Sequence, residues 1–308
     1  MTTVYVVPCG VSVLDQLARK LPSGGSPVTR FTRPVGGGSW LNGVDLDDAE
    51  AVPAAWSDKV TANAREAGLG QAAAKWLSAE THTLATRVTP GRLAPGQHVL
   101  LLASDTKTGL TAAFCVGQYL AGFSSDPVGY ASAPSSERDN WKFKATRTPV
   151  TVIRVRGLMP VSADFNLAAF GIGKALRAAW DSGGAVEVHL TGGFKATLLH
   201  TLAMTEVLRS MAPDRVSAWN VFEDVTEDGS DQPVEPGRIG LRTYLPEYLD
   251  LMRTELSGAR DGDYQGSRTF EGVCWTEDAG GNRRLNAFGH GYLAVLGQSA
   301  WARGDDNS

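Results

Sequence analysis

Two rhythms of apolar and polar residues alternate along the chain. Short runs that are apolar almost throughout are bounded by turn-forming residues: Val4 to Pro8 (VYVVP), His98 to Ala103 (HVLLLA), Val150 to Val155, 185-AVEVHL-190 and Val216 to Phe222. Such runs predict strands buried on both faces. Between them, apolar residues recur at helical spacing, which predicts helices over 11–21, 110–120, 165–180 and 195–211, and within 45–84 along 68-GLGQAAAKWLSAETHTL-84. The Gly-, Pro- and Ser-rich stretch 22-PSGGSPVTRFTRPVGGGSWLNG-43 and the polar stretch 123-FSSDPVGYASAPSSERDNWK-142 read as loops.

Strands alternating with helices predict an α/β fold, a Rossmann-like and mainly parallel sheet with helices on both faces, over residues 1–246. After Leu245 and Pro246 the rhythm changes. A short helix (247–256) leads into the polar 257-SGARDGDYQGS-267, then two short strands around 278-DAGGN-282, then the helix 287-AFGHGYLAVLG-297. Residues 247–308 are therefore expected to form a small winged-helix-like module with a frayed tail, WARGDDNS.

Composition narrows the functional classes. The chain has 308 residues, 43% hydrophobic and 20% charged, with a net charge of −4; its pI is near 5.8. That balance excludes the broad basic face of a general nucleic-acid binder, so no long nucleic acid is expected and any nucleotide must sit in a local pocket. Cys9, Cys115 and Cys274 are far apart and outside any metal-binding spacing, and read as reduced thiols of a cytoplasmic protein. The apolar N-terminus lacks a basic segment and a cleavage site, and no run reaches the ~20 residues needed to cross a bilayer, so no membrane association is expected. His82, His98, His189 and His200 fall on separate elements with no zinc spacing; no metal and no cofactor is expected.

Doubly wound sheets bind ligands beyond the C-terminal ends of their strands. Three strand-to-helix turns here have matching chemistry. The first, 8-PCGVSVL-14, offers Cys9, Gly10, Val11 and Ser12; the second, 103-ASDTKTG-109, offers Ser104, Asp105 and Thr106. The third, 191-TGGFK-195, offers Thr191, Gly192, Gly193, Phe194 and Lys195, with Thr197 one turn on. Each places backbone N–H groups at a helix N-terminus, a natural anion site, although Ser, Thr, Asp and Gly are also the ordinary residues of capped turns. Neither the Walker A loop nor the GxGxxG dinucleotide fingerprint is present, which weighs against an ordinary nucleotide-binding enzyme. Asp105 would repel a phosphate and is expected to cap the next helix or accept a ribose hydroxyl. Trp40, in 36-GGGSWLNG-43, is a further candidate for stacking on an adenine or, more simply, for packing on its own domain; Arg154 and Arg156 alternate on a strand within reach of a phosphate or of solvent.

The TGGFK motif between a strand and a helix resembles the most diagnostic segment of the CRISPR-associated Rossmann-fold (CARF) proteins, which sense cyclic oligoadenylates. In the same order, PCGVSVL resembles the family's first-strand loop and 77-LSAET-81 the SAE helix of one large branch. The runs 101-LLASDTKTG-109 and 157-GLMPVSADFNLAAFGIGKAL-176 are similar to further family segments. The resemblance covers roughly Thr2 to Pro246. It implies a homodimer whose pockets merge on the twofold axis over one cyclic ligand, cyclic tetra-adenylate being the expected ring. In the ring-nuclease branch it implies that Ser12 and Lys195 support metal-independent cleavage by a ribose 2′-OH, giving linear di-adenylate with a 2′,3′-cyclic phosphate. The alternative is a sensor that binds without cutting and gates the C-terminal module. Arg284 and His290 in 284-RLNAFGH-290 echo the RNase signature of a helical domain, but too few residues remain to build one.

Overall fold

The computed structural model describes residues 1–14, 40–56, 78–84, 86–123, 128–134, 141, 143–159, 165–193, 195–221, 236–261 and 266–297. Along the chain the strands are β1 (Thr3–Cys9), β2 (Gln97–Ala103), β3 (Gly129–Ser132), β4 (Val150–Arg154), β5 (Ala185–His189), β6 (Val216–Asn220), β7 (Gly237–Ile239), β8 (Trp275–Glu277) and β9 (Arg283–Leu285). The helices are α1 (Ala51–Ala55), α2 (Ala79–Leu84), α3 (Lys107–Leu120), α4 (Phe165–Asp181), α5 (Lys195–Met211), α6 (Pro246–Asp261) and α7 (Ala287–Leu296).

The first seven strands form one sheet in the order β3-β4-β2-β1-β5-β6-β7. Every pairing is parallel except β6 with β7. Strand alternation divides the core into two layers. Val4, Val6, Leu100, Leu102, Val186, Val188 and Ala218 face one layer with residues of α4, α5, α6 and α7. Tyr5, Val7, Cys9, Val99, Leu101 and Val152 face the other, with Val52, Leu84 and the apolar side of α3. Burial on both faces is why these strands read as unbroken apolar runs. The α/β Rossmann-like class read from the sequence is therefore the fold.

The C-terminal residues share the first of these cores. Leu249, Met252 and Leu256 of α6, Trp275, and Leu293, Val295 and Leu296 of α7 pack with the sheet and with α4. A Cβ placed on Gly173 of α4 would lie 2.6 Å from the Gly291 carbonyl oxygen and 2.7 Å from Ala294 Cβ, so α4 and α7 touch backbone to backbone. The buried Glu255 carboxylate organises the turn before β8, accepting from Thr269 N at 3.0 Å, Phe270 N at 2.7 Å and Trp275 Nε1 at 2.8 Å.

Two strands were not expected. β3 lies in a stretch read as loop: its sequence GYAS has no apolar run, and its pairing with β4 rather than its composition holds it. β7 is a three-residue edge strand, GRI, too short to carry a pattern. α6 extends five residues beyond the expected 256 because Leu256 and Ala259 continue its buried stripe. The helices expected before residue 79 lie largely outside the described residues, as does the frayed tail.

Candidate functional site

From β1 the chain crosses to β2 on one side; from β4 it crosses back to β5 on the other. The connections diverge between β1 and β5, and a crevice at the C-terminal ends of these strands is where open α/β sheets bind ligands. The three candidate turns follow β2, β1 and β5, which are neighbours in that order. The turns after β1 and β5 are in contact. Gly193 has φ +92°, and a Cβ there would approach Pro8 Cβ at 2.8 Å; a Cβ on Gly10 would lie 3.2 Å from Gly193 N. Glycine is required at 193 by both its conformation and the crowding.

A carboxylate lies beneath both turns. Glu80 of α2, only 1% exposed, accepts from Gly10 N at 2.6 Å through Oε1 and from Ser12 Oγ at 3.3 Å through Oε2. A Cβ on Gly192 would overlap the same carboxylate. The 77-LSAET-81 segment stood out in the sequence, but Glu80 did not stand out as part of the site; Gly10 and Gly192, bare of side chains, were the sign that something occupies that space. The amide and hydroxyl expected at the first turn are thus engaged by Glu80. Cys9 is buried, and burial, reinforced by the Glu80 charge, raises its thiol well above the ordinary range, so it is no nucleophile. Val11 is exposed at the same edge.

The turn after β2 is a self-contained network. Thr106 caps α3 by accepting from Gly109 N at 2.9 Å, and Ser104 Oγ lies 3.0 Å from Thr106 Oγ1. The cap expected of Asp105 is thus made by Thr106. Asp105 instead bridges two elements, accepting from Arg154 Nε at 2.6 Å and from Gly157 N at 2.9 Å. Arg154 Nη1 and Arg156 Nη2 both reach Asp47 Oδ1, at 2.8 and 2.6 Å, and Ser132 Oγ donates to the same oxygen at 3.1 Å. Burial alone would raise the Asp47 carboxyl, but the hydrogen bonds from Arg156 and Ser132 and the two guanidinium charges hold it below the usual range. Arg154 and Arg156 are therefore already partnered by carboxylates.

Lys195 opens α5, is exposed, and pairs with no carboxylate among the described residues. The 17-residue helix adds its N-terminal dipole at the same place. Thr191 ties this turn to the next strand, its Oγ1 accepting from Val221 N at 2.9 Å and donating to Asn220 Oδ1 at 3.3 Å. Thr197 is buried; Phe194 lies outside the described residues. Trp40 is 8% exposed, set edge-on to Trp56 and Phe114 with its Nε1 donating to Thr111 Oγ1 at 2.9 Å. It packs on its own domain.

The structure thus brings Gly10, Ser12, Gly192 and Gly193 together around Glu80, with Lys195 two residues past Gly193, and sets Arg154, Arg156 and Asp105 in a separate ion-pair network. Among the described residues no group of three or more His, Cys, Asp or Glu side chains is arranged to hold a metal ion, and no helix is long and apolar enough to cross a membrane. Chemically the arrangement offers the exposed Lys195 ammonium, which pairs with no carboxylate among the described residues, a helix N-terminus for an anion, and a hydroxyl held by a buried carboxylate. No protein-family model matches the chain, and no curated protein matches it.

Proposed function

We propose that this chain is a CARF-type ring nuclease: a cytoplasmic homodimer that binds cyclic tetra-adenylate across its twofold axis and opens it without a metal. The observation that carries the reading is the position of Lys195. It is an exposed ammonium, paired with no carboxylate among the described residues, at the N-terminus of the helix that follows β5, next to β1 and the Ser12 turn in the sheet order. The order of motifs along the chain, from PCGVS through SAE to TGGFK, supports the same reading.

In this reading a ribose 2′-oxygen attacks the adjacent phosphorus in line, the 2′-O–P bond forms and the P–5′-O bond breaks. The proton lost at the 2′-hydroxyl balances the one gained by the departing 5′-oxygen, so no water is consumed. The protein aligns the three atoms, and Lys195 with the helix-terminal amides stabilises charge on the phosphorane. Two copies contribute two lysines to one ring of about four phosphates, consistent with a net acidic chain.

Incubating the pure protein with labelled cyclic tetra-adenylate in EDTA tests it. Linear di-adenylate ending in a cyclic phosphate is expected. Tight binding with the ring intact would instead favour a sensor, and absence of binding would remove the CARF reading. Lys195→Ala is expected to abolish cleavage and weaken binding; unchanged turnover would place the chemistry elsewhere.

A further inference from the structure

We infer that Glu80 fixes the direction of the Ser12 hydroxyl, so that Ser12 meets a ligand only as a hydrogen-bond acceptor and selects a ribose hydroxyl there; this rests on the ring-nuclease reading above. Glu80 is buried, and its carboxylate accepts from Gly10 N at 2.6 Å and from Ser12 Oγ at 3.3 Å. A carboxylate has no proton to offer, so the single Ser12 proton points inward and its lone pairs remain for a ligand. A phosphate oxygen presents lone pairs as well and gains nothing from such a partner. A 2′-hydroxyl has a proton to give.

The two turns in contact therefore divide the ligand between them. The first, with its Gly10 amide and Ser12 proton both committed to Glu80, takes the sugar hydroxyl. The other, with Lys195 and the α5 N-terminus, takes the phosphate. Gly192 serves the same arrangement, because any side chain there would displace the carboxylate. A 2′-hydroxyl donating to Ser12 turns its oxygen lone pairs toward the neighbouring phosphorus, which is the attacking geometry. Glu80 touches no reacting atom; it is a positioning residue acting through Ser12.

The test is Glu80→Gln, assayed with cyclic tetra-adenylate and with the rings carrying 2′-fluoro or 2′-deoxy riboses. The Gln carbonyl oxygen still accepts from Gly10, but its amide donates to Ser12 Oγ and turns the serine proton outward. Wild-type protein is expected to bind the 2′-hydroxyl ring about tenfold more tightly than the 2′-fluoro ring, the size of one good hydrogen bond. In Glu80→Gln that ratio should fall to about twofold or reverse, and kcat should drop at least about tenfold with KM changed by less than about threefold. Ser12→Ala should erase the ratio by itself, and adding Glu80→Gln to it should change nothing further. Thermal melting confirms that each variant is folded, and Ser12→Ala decides the case if Glu80→Gln is not. A hydroxyl-to-fluoro ratio that is the same in wild type and both variants overturns the role of Glu80 while leaving the ring-nuclease reading intact. Failure of wild type to bind any of the rings overturns both.

Discussion

His189 shows how a single side chain can set a pH dependence in this fold. Its ring is fully buried at the end of β5, 3.8 Å from Glu187, and burial, with the Arg87 charge, lowers its pKa to about 3. The unfolded chain binds the proton at about 6.5, so stability is fully present above that value and is lost as pH falls from there toward 3. Between pH 7 and 5 this residue alone is expected to cost about 2 kcal/mol, and His189→Met should flatten that part of a melting-temperature profile. Gly192→Ala is expected to cost about 1–3 kcal/mol by crowding Glu80, read as a lower urea midpoint. The placement of Ser12, Lys195 and the paired glycines at strand-to-helix turns was legible because each lies in a short local motif, PCGVSVL or TGGFK. Glu80 was not, because its partner Gly10 is 70 residues away, and no local pattern encodes which buried carboxylate meets which loop.

At the level of elements, legibility followed burial. α5 spans 195–211 as its spacing predicts, and β1, β2, β4, β5 and β6 fall where apolar runs end at turns. β3 escaped because Tyr130 and Ala131 are its only apolar residues, and it is defined by its partner strand; Gly129 is needed since any side chain would meet the Thr148 and Thr151 hydroxyls. The contact between α4 and α7 was also invisible, because it depends on the bare Gly173 meeting the Gly291 carbonyl and Ala294, residues 118 and 121 positions further along. That contact predicts a specific sensitivity. Gly173→Val drives a branched side chain into the α7 backbone and is expected to destabilise the fold by about 1–3 kcal/mol or more. The same change at Gly183, where no atom lies within 4 Å, meets only the strain of its φ of +79°. Comparing the chemical denaturation of the two variants separates helix packing from backbone conformation.

For the whole molecule, three of the seven large apolar side chains exposed among the described residues are informative by location. Val11 follows β1, Met159 follows β4 and Leu199, 67% exposed, lies in the first turns of α5. All three belong to the C-terminal edge of the sheet, the edge that a second copy covers if the ring sits on a twofold axis. If the proposed dimer forms through this edge, Leu199→Glu shifts it toward monomer in sedimentation and weakens ring binding; an unchanged sedimentation profile would place any dimer contact elsewhere. Charge at this edge is the last consequence. Among the described residues this edge sets two ammonium groups, Lys195 and Lys107, the latter donating to the neutral Asn42 Oδ1 at 2.7 Å, against one buried carboxylate, Glu80, while Arg154 and Arg156 are paired with Asp47 and Asp105. Within a chain of net charge −4 these few cations give the crevice only a modest long-range field, so the proposed polyanion would be held by close contact more than drawn in from a distance. On the proposed reading, association of cyclic tetra-adenylate should slow only modestly as salt is raised, with affinity set mainly by the dissociation rate.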